Sequence, residues 1–276
     1  MSTNLSPLVM QPAFREGSLP TDLVSATELD RMGLYVIETT QRHVYGQRLL
    51  TVDGRVFKYC HSLGSLLSGF GAANIAPYNI GAVLPAAAAV GDTEVLVTIA
   101  SGDGYAADGV VAENELIGAY VVMGNGESLV QNRMIIGNTA VASGGGTCTI
   151  KLDGGIANAM TISSSYCEII LNPYKYLSKG AYEYQAFMCV PALNAATGYN
   201  FWGQTWGPCW VTPGGADATP GSSADDRTAY FVGDGSVNFG TYVISLARGH
   251  QLAGFAIEMT TTSITACPLI MLQISI

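Results

Sequence analysis

The chain has 276 residues and a mass of 28.9 kDa, enough for one large domain or two small ones with a substantial core. Only 12% of its residues are charged, 49% are apolar and 33 are glycine, which excludes a disordered chain, a coiled coil and a charge-rich helical protein. The formal charge is −9 and is unevenly placed: residues 1–60 carry six bases and six acids, and the rest carries six bases and fifteen acids. An acidic body repels phosphate backbones, so no nucleic-acid partner is expected, and the near-neutral N-terminal segment is the part suited to docking on an acidic partner.

In chain order, residues 1–45 read as an extended N-terminal arm. They contain prolines and scattered polar residues, with one short helix-capable stretch from Thr21 to Leu29 that does not extend into a 3.6-residue pattern. Gln47 to Val52, then Asp53-Gly54, then Arg55 to Cys60 reads as strand, two-residue turn and strand, because Asp-Gly supplies the positive φ of a tight hairpin. The longest apolar run, Ile80 to Val90, is interrupted by Gly81 and Pro85 and is far below the roughly 20 residues of a membrane span, so no membrane association is expected.

From Gly91 to Tyr174 strands recur at short spacing. Glu94–Ile99, Ile117–Met123, Leu129–Ile136, Thr147–Leu152 and Ser165–Leu171 are separated by glycine-rich turns, the pattern of a small barrel or sandwich. A short turn of helix is expected after Asp153-Gly154-Gly155. Beyond Tyr182, the candidate strands are Ala186–Val190, Tyr199–Trp206, Thr228–Val232, Gly240–Leu246, Leu252–Met259 and Pro268–Ile276, with a polar loop over 212–223. The expected fold is therefore all-β: an arm over 1–45, a discontinuous β unit from 46–84 and 176–276, and an inserted small β-barrel over 85–175.

Nothing in the sequence specifies an active site. His43, His61 and His250 are scattered, and the six cysteines form no CxxC pair, so no metal site is expected. There is no GxSxG elbow and no P-loop lysine motif, and Gly69-Phe70-Gly71-Ala72-Ala73-Asn74 falls short of a dinucleotide fingerprint. The expectation is a non-enzyme without cofactors. The opening residues have neither a basic nor an apolar signal region, so synthesis in a cytoplasm with reduced, mostly buried thiols is expected.

The most unusual local feature runs from Tyr199 to Trp210. It holds all three tryptophans, Trp202, Trp206 and Trp210, spaced by four. Gly203, Gly207 and Pro208 argue against a helix, and in a regular strand the three rings share one face. Exposed, such a row is a sugar-binding platform; buried, it is core or subunit interface. The buried reading is preferred because Gln204 is the hydrogen-bonding side chain on that face.

The Asp53-to-Tyr59 hairpin, the Ala/Gly-rich stretch after it, the strand-rich block ending at Asn172-Pro173-Tyr174 and the Gly198-to-Pro208 motif together resemble capsid decoration (cement) proteins of tailed bacteriophages. The resemblance covers roughly residues 46–210. It implies a non-enzymatic virion protein made in the host cytoplasm and carried on the capsid surface. Its partners would be the major capsid protein and neighbouring copies, as a homo-oligomer and often a trimer. Arg31, Arg42, Arg48 and Arg55 bring guanidinium forks suited to a partner's carboxylates. The alternative is a receptor- or carbohydrate-binding fibre or spike component with the tryptophan segment as its platform.

Overall fold

The computed structural model describes residues 9–10, 33–51, 53–74, 80–104, 106, 108–125, 130–162, 165–182, 185–214, 227–240, 250–257 and 269–276. Arg31, Cys267, the Thr21–Leu29 stretch, most of the 212–223 loop and most of the strand expected over Gly240–Leu246 lie outside the described residues. The fold is all-β, with no helix among the described residues. The chain divides into two compact units, residues 1–75 with 174–276, and residues 76–173.

The second unit is a six-stranded antiparallel sheet. Its strands are β5 (Ile80–Val83), β6 (Glu94–Ile99), β7 (Tyr120–Asn125), β8 (Val130–Asn138), β9 (Gly146–Leu152) and β10 (Ser165–Ile170), in the order β5-β10-β7-β8-β9-β6. Strict alternation curls it around one core. Val95, Val97 and Ile99 are buried while Glu94, Leu96 and Thr98 face out, and Ser165, Cys167 and Ile169 alternate likewise with Tyr166, Glu168 and Ile170. The edge strands β5 and β6 approach within 8 Å between Cα atoms, so the sheet curls toward a barrel. The unit takes in β5, upstream of the boundary expected at 85, because Ile80 is fully buried in this core and β5 pairs with β10. The segment after Gly155 forms no helical turn: Arg133 donates to the Gly155 carbonyl from Nε (3.1 Å) and Nη2 (2.7 Å), and Met160 bridges Ala88 as extended backbone.

The first unit contains the other eleven strands: β1 (Val9–Met10), β2 (Arg48–Thr51), β3 (Val56–His61), β4 (Ala72–Asn74), β11 (Leu177–Lys179), β12 (Ala186–Pro191), β13 (Asn200–Trp210), β14 (Thr228–Phe231), β15 (Val237–Phe239), β16 (Leu252–Ala256) and β17 (Leu269–Gln273). Its main path is β1-β2-β3-β13-β17-β16-β14-β15, and a branch leaves β13 through β12 and β4 to β11. The branch point is the reason for three apolar clusters. Phe187 of β12 stacks on Phe231 of β14 (4.8 Å) in one; Cys60, Cys189 and Phe201 lie in a second; Leu34, Leu49, Phe57, Tyr59 and Trp202 form the third.

Two expectations are corrected. The β2–β3 connection is a three-residue loop, because Leu50 pairs with Val56 and Thr51 donates its N–H to the Arg55 carbonyl (2.9 Å). Among the described loop residues Gly54 supplies positive φ (+82°), as in a hairpin that ends in a bulge. Nor do residues 33–45 form a free arm. Leu34 is buried with Trp202, Glu38 bridges Asn200, and the Tyr45 hydroxyl donates to Asn200 Oδ1 (2.8 Å). Isolated anchors hold this segment down without any periodic pattern, and β1 adds a short antiparallel edge to β2.

Because the second unit is contiguous and carries its own core, residues 76–173 expressed alone should fold. The expected result is strand-dominated circular dichroism with a cooperative thermal transition. A fragment without such a transition would show that its core depends on the rest of the chain.

Candidate functional site

Of the residues singled out by sequence, Arg42, Arg48, Arg55 and the three tryptophans lie in the first unit, on or beside β2, β3 and β13. Arg42 is exposed and donates from Nε to Glu38 Oε2 (2.6 Å). Arg55 donates from Nε to Asp53 Oδ2 (2.7 Å), and its guanidinium lies 5.5 Å from the Phe57 ring centroid. Burial raises the Asp53 pKa, but hydrogen bonds from Thr51 and Arg55 and the Arg55 charge outweigh it and hold the carboxyl below its usual value. These two arginines therefore already have carboxylate partners within the chain. Arg48 differs: it stands directly opposite Lys58 in the β2–β3 ladder.

The three tryptophans do not share a face. Trp202 pairs with Tyr59 and Gln204 with Phe57, but the register shifts before Trp206, which stands opposite Val56. This is a β-bulge, and it turns the strand over. Trp202 is 2% exposed, Trp206 is half-buried, and Trp210 is 41% exposed. Trp202 is a core residue, whereas the Trp210 ring lies at the surface of the single chain and rests against Gly69: a Cβ there would come within 2.0 Å of Cζ3. Gln204 is buried and sustains the bulge by donating from Nε2 to the carbonyls of Trp206 (3.1 Å), Gly207 (3.3 Å) and Pro208 (2.8 Å).

Beyond the bulge, Trp210, Leu269 and Ile257 form one row across the outer face of β13-β17-β16, and Pro208, Met271 and Phe255 form the next. Trp210, Leu269, Ile257 and Phe255 are each more than a third exposed. The result is a contiguous apolar sheet surface. The sequence displays Leu252–Met259 and Pro268–Ile276 as strands, but only the register reveals that their outward residues align with Trp210.

A second assembly was not legible in sequence. His43 lies 5.0 Å from Tyr59 and 5.2 Å from Trp202; Tyr45 stacks on Tyr59 (5.9 Å); His61 lies 5.7 Å from Tyr45 and 5.4 Å from Tyr176. The Lys175 ammonium sits 4.9 Å from the Tyr176 ring and 5.9 Å from Tyr45. Burial, with Tyr59 adding to it, pushes the Tyr45 phenol up to about 12. The only local trace is the spacing of two in His43-x-Tyr45 and Tyr59-x-His61. The five described thiols are buried too: the Cys60 and Cys189 Sγ atoms lie 3.7 Å apart without a disulfide, and burial pushes Cys209 up to about 12. Such thiols are poor nucleophiles. Comparison with family models, curated proteins and solved structures returned no match.

The packing predicts a graded tryptophan response. Trp202→Ala should cost about 3–5 kcal/mol in denaturant unfolding and Trp210→Ala less than about 1.5 kcal/mol, since half-exposed rings lose less. Equal losses at the two positions would contradict the face reversal.

The histidines set a pH dependence. Burial lowers the His43 pKa, and burial together with the Lys175 charge lowers that of His61. With folded values below the unfolded value of about 6.5, the unfolded chain binds more protons in that window, so stability falls as pH drops through it. Unfolding midpoints should decline from pH 7 to pH 5, and His61→Gln should flatten the decline; an unchanged slope would contradict the assignment.

Proposed function

We propose that this protein is a structural, non-enzymatic virion component that decorates and stabilises a tailed-phage capsid by binding the major capsid protein lattice, acting with neighbouring copies as a homo-oligomer, with a trimer as the expected form. The observation that carries this reading is the apolar outer face of β13-β17-β16. Six outward positions, Pro208, Trp210, Phe255, Ile257, Leu269 and Met271, are apolar across three adjacent strands. A patch of this kind is costly in water and characteristic of a surface that is covered in the assembled state. The low share of charged residues and the phage-like sequence motifs support the same reading.

The rival is a carbohydrate- or receptor-binding spike component, favoured by the exposure of Trp210 alone. A glycan platform needs polar groups beside the ring to orient hydroxyls, and the neighbouring outward positions are Pro208, Leu269 and Met271. The composition of that surface favours protein burial.

Attachment is assigned jointly to this face and to the N-terminal segment. Leu34 belongs to the core, so the informative truncation ends at residue 32. In capsids lacking the protein, added wild-type chain should bind at copy numbers comparable with the capsomers. The 1–32 deletion should stay folded yet bind with reduced occupancy, and Trp210→Asp should bind more weakly still. Full occupancy by both variants, or a virion content of only a few copies, would overturn the proposal.

A further inference from the structure

We infer that Arg48 and Lys58 form the two arms of an oxyanion-binding site on the β2–β3 hairpin. The starting point is an electrostatic conflict. The two cations are direct cross-strand partners, a placement that is destabilising for like charges. Both are half-buried, so water screens them less than it would on an open surface. Among the described residues no carboxylate lies within 4.0 Å of either, although Arg42 and Arg55 on the same unit each have one. The chain as a whole has acids to spare.

The unmet valence is specific. Arg48 Nε is buried and has no hydrogen-bond partner among the described residues, a state that costs free energy unless an acceptor arrives. Burial, followed by the Arg48 charge, lowers the Lys58 pKa, in keeping with a site that lacks its counter-ion.

The geometry is also held in place. Tyr174 lies beneath Lys58, with its ring centroid 5.8 Å from Nζ. The ring packs on Gly46, where a Cβ would come within 3.0 Å of Cδ2, and its hydroxyl pairs with Ser275 Oγ at 3.1 Å. The Tyr174 carbonyl accepts from the His61 N–H (3.0 Å), which ties the residue to the end of β3.

A guanidinium edge and an ammonium presented from adjacent strands match one oxyanionic group, either a carboxylate or a tetrahedral sulfate or phosphate. The assignment does not depend on the capsid reading, since it rests on these residues alone.

The test uses the full chain and thermal unfolding at matched ionic strength in chloride, acetate or sulfate. Sulfate or acetate should give a saturable rise of about 2–5 °C over chloride. A response to sulfate alone identifies a tetrahedral group as the preferred ligand, and a response to acetate as well identifies a carboxylate. Arg48→Gln and Lys58→Gln should each raise the melting temperature in chloride, by relieving the repulsion, and abolish the anion response, while Lys58→Arg retains it. Equal melting temperatures in all three salts, or an undiminished response in both glutamine variants, would overturn the inference.

Discussion

The first unit depends on one irregular strand. β13 must pair with β3 along one edge while its other edge is divided between β12 and β17. A flat strand cannot serve sheets that diverge on either side of it, and the bulge between Gln204 and Trp206 supplies the needed bend. Gln204 braces the chain past the bulge by sharing its amide hydrogens among the carbonyls of Trp206, Gly207 and Pro208. A buried acceptor left unpaired costs roughly 1–3 kcal/mol, more than the modest net value of one bond, so the Gln204 amide matters most at the buried Gly207 carbonyl. Gly207, at φ +92°, lets the chain pass close over Arg55, where a Cβ would come within 3.0 Å of its Cα.

The surfaces follow from that bend. Upstream of it, Trp202 faces inward and closes an aromatic array with Tyr59, Tyr45 and His43. Downstream, Trp210 faces outward and joins the residues of β16 and β17 into an apolar face. Beside the upstream segment, β3 places Lys58 opposite both Arg48 and Gly203. An apolar surface suited to burial and a cationic pair with no carboxylate partner among the described residues are thus both set by the strands that β13 aligns.

The all-β character was legible because alternation is local. Glu94–Ile99 and Ser165–Ile170 reveal their inward and outward residues without knowledge of any partner strand. The tryptophan faces were not, because counting by two fails wherever an extra residue enters a strand, and nothing at Thr205 marks the insertion; Gly207 and Pro208 signal irregularity only after it. The anchoring of residues 33–45 was hidden for a different reason: Leu34, Glu38 and Tyr45 act singly, through partners as distant in sequence as Asn200. Of the four arginines, sequence marks the residue type, while the distinction between Arg55, paired with Asp53, and Arg48, paired against Lys58, exists only in the hairpin register.

The reversal of β13 at its bulge is most directly tested by hydroxyl-radical footprinting of the folded chain, read residue by residue by mass spectrometry. Oxidation of a tryptophan ring tracks its exposure, so the three positions report the strand's two faces in one experiment. The account predicts rapid modification of Trp210, intermediate modification of Trp206 and protection of Trp202, in the order of their exposure. Uniform protection of all three, or modification of Trp202 as fast as Trp210, would mean that the strand keeps one face throughout, and the account would fail.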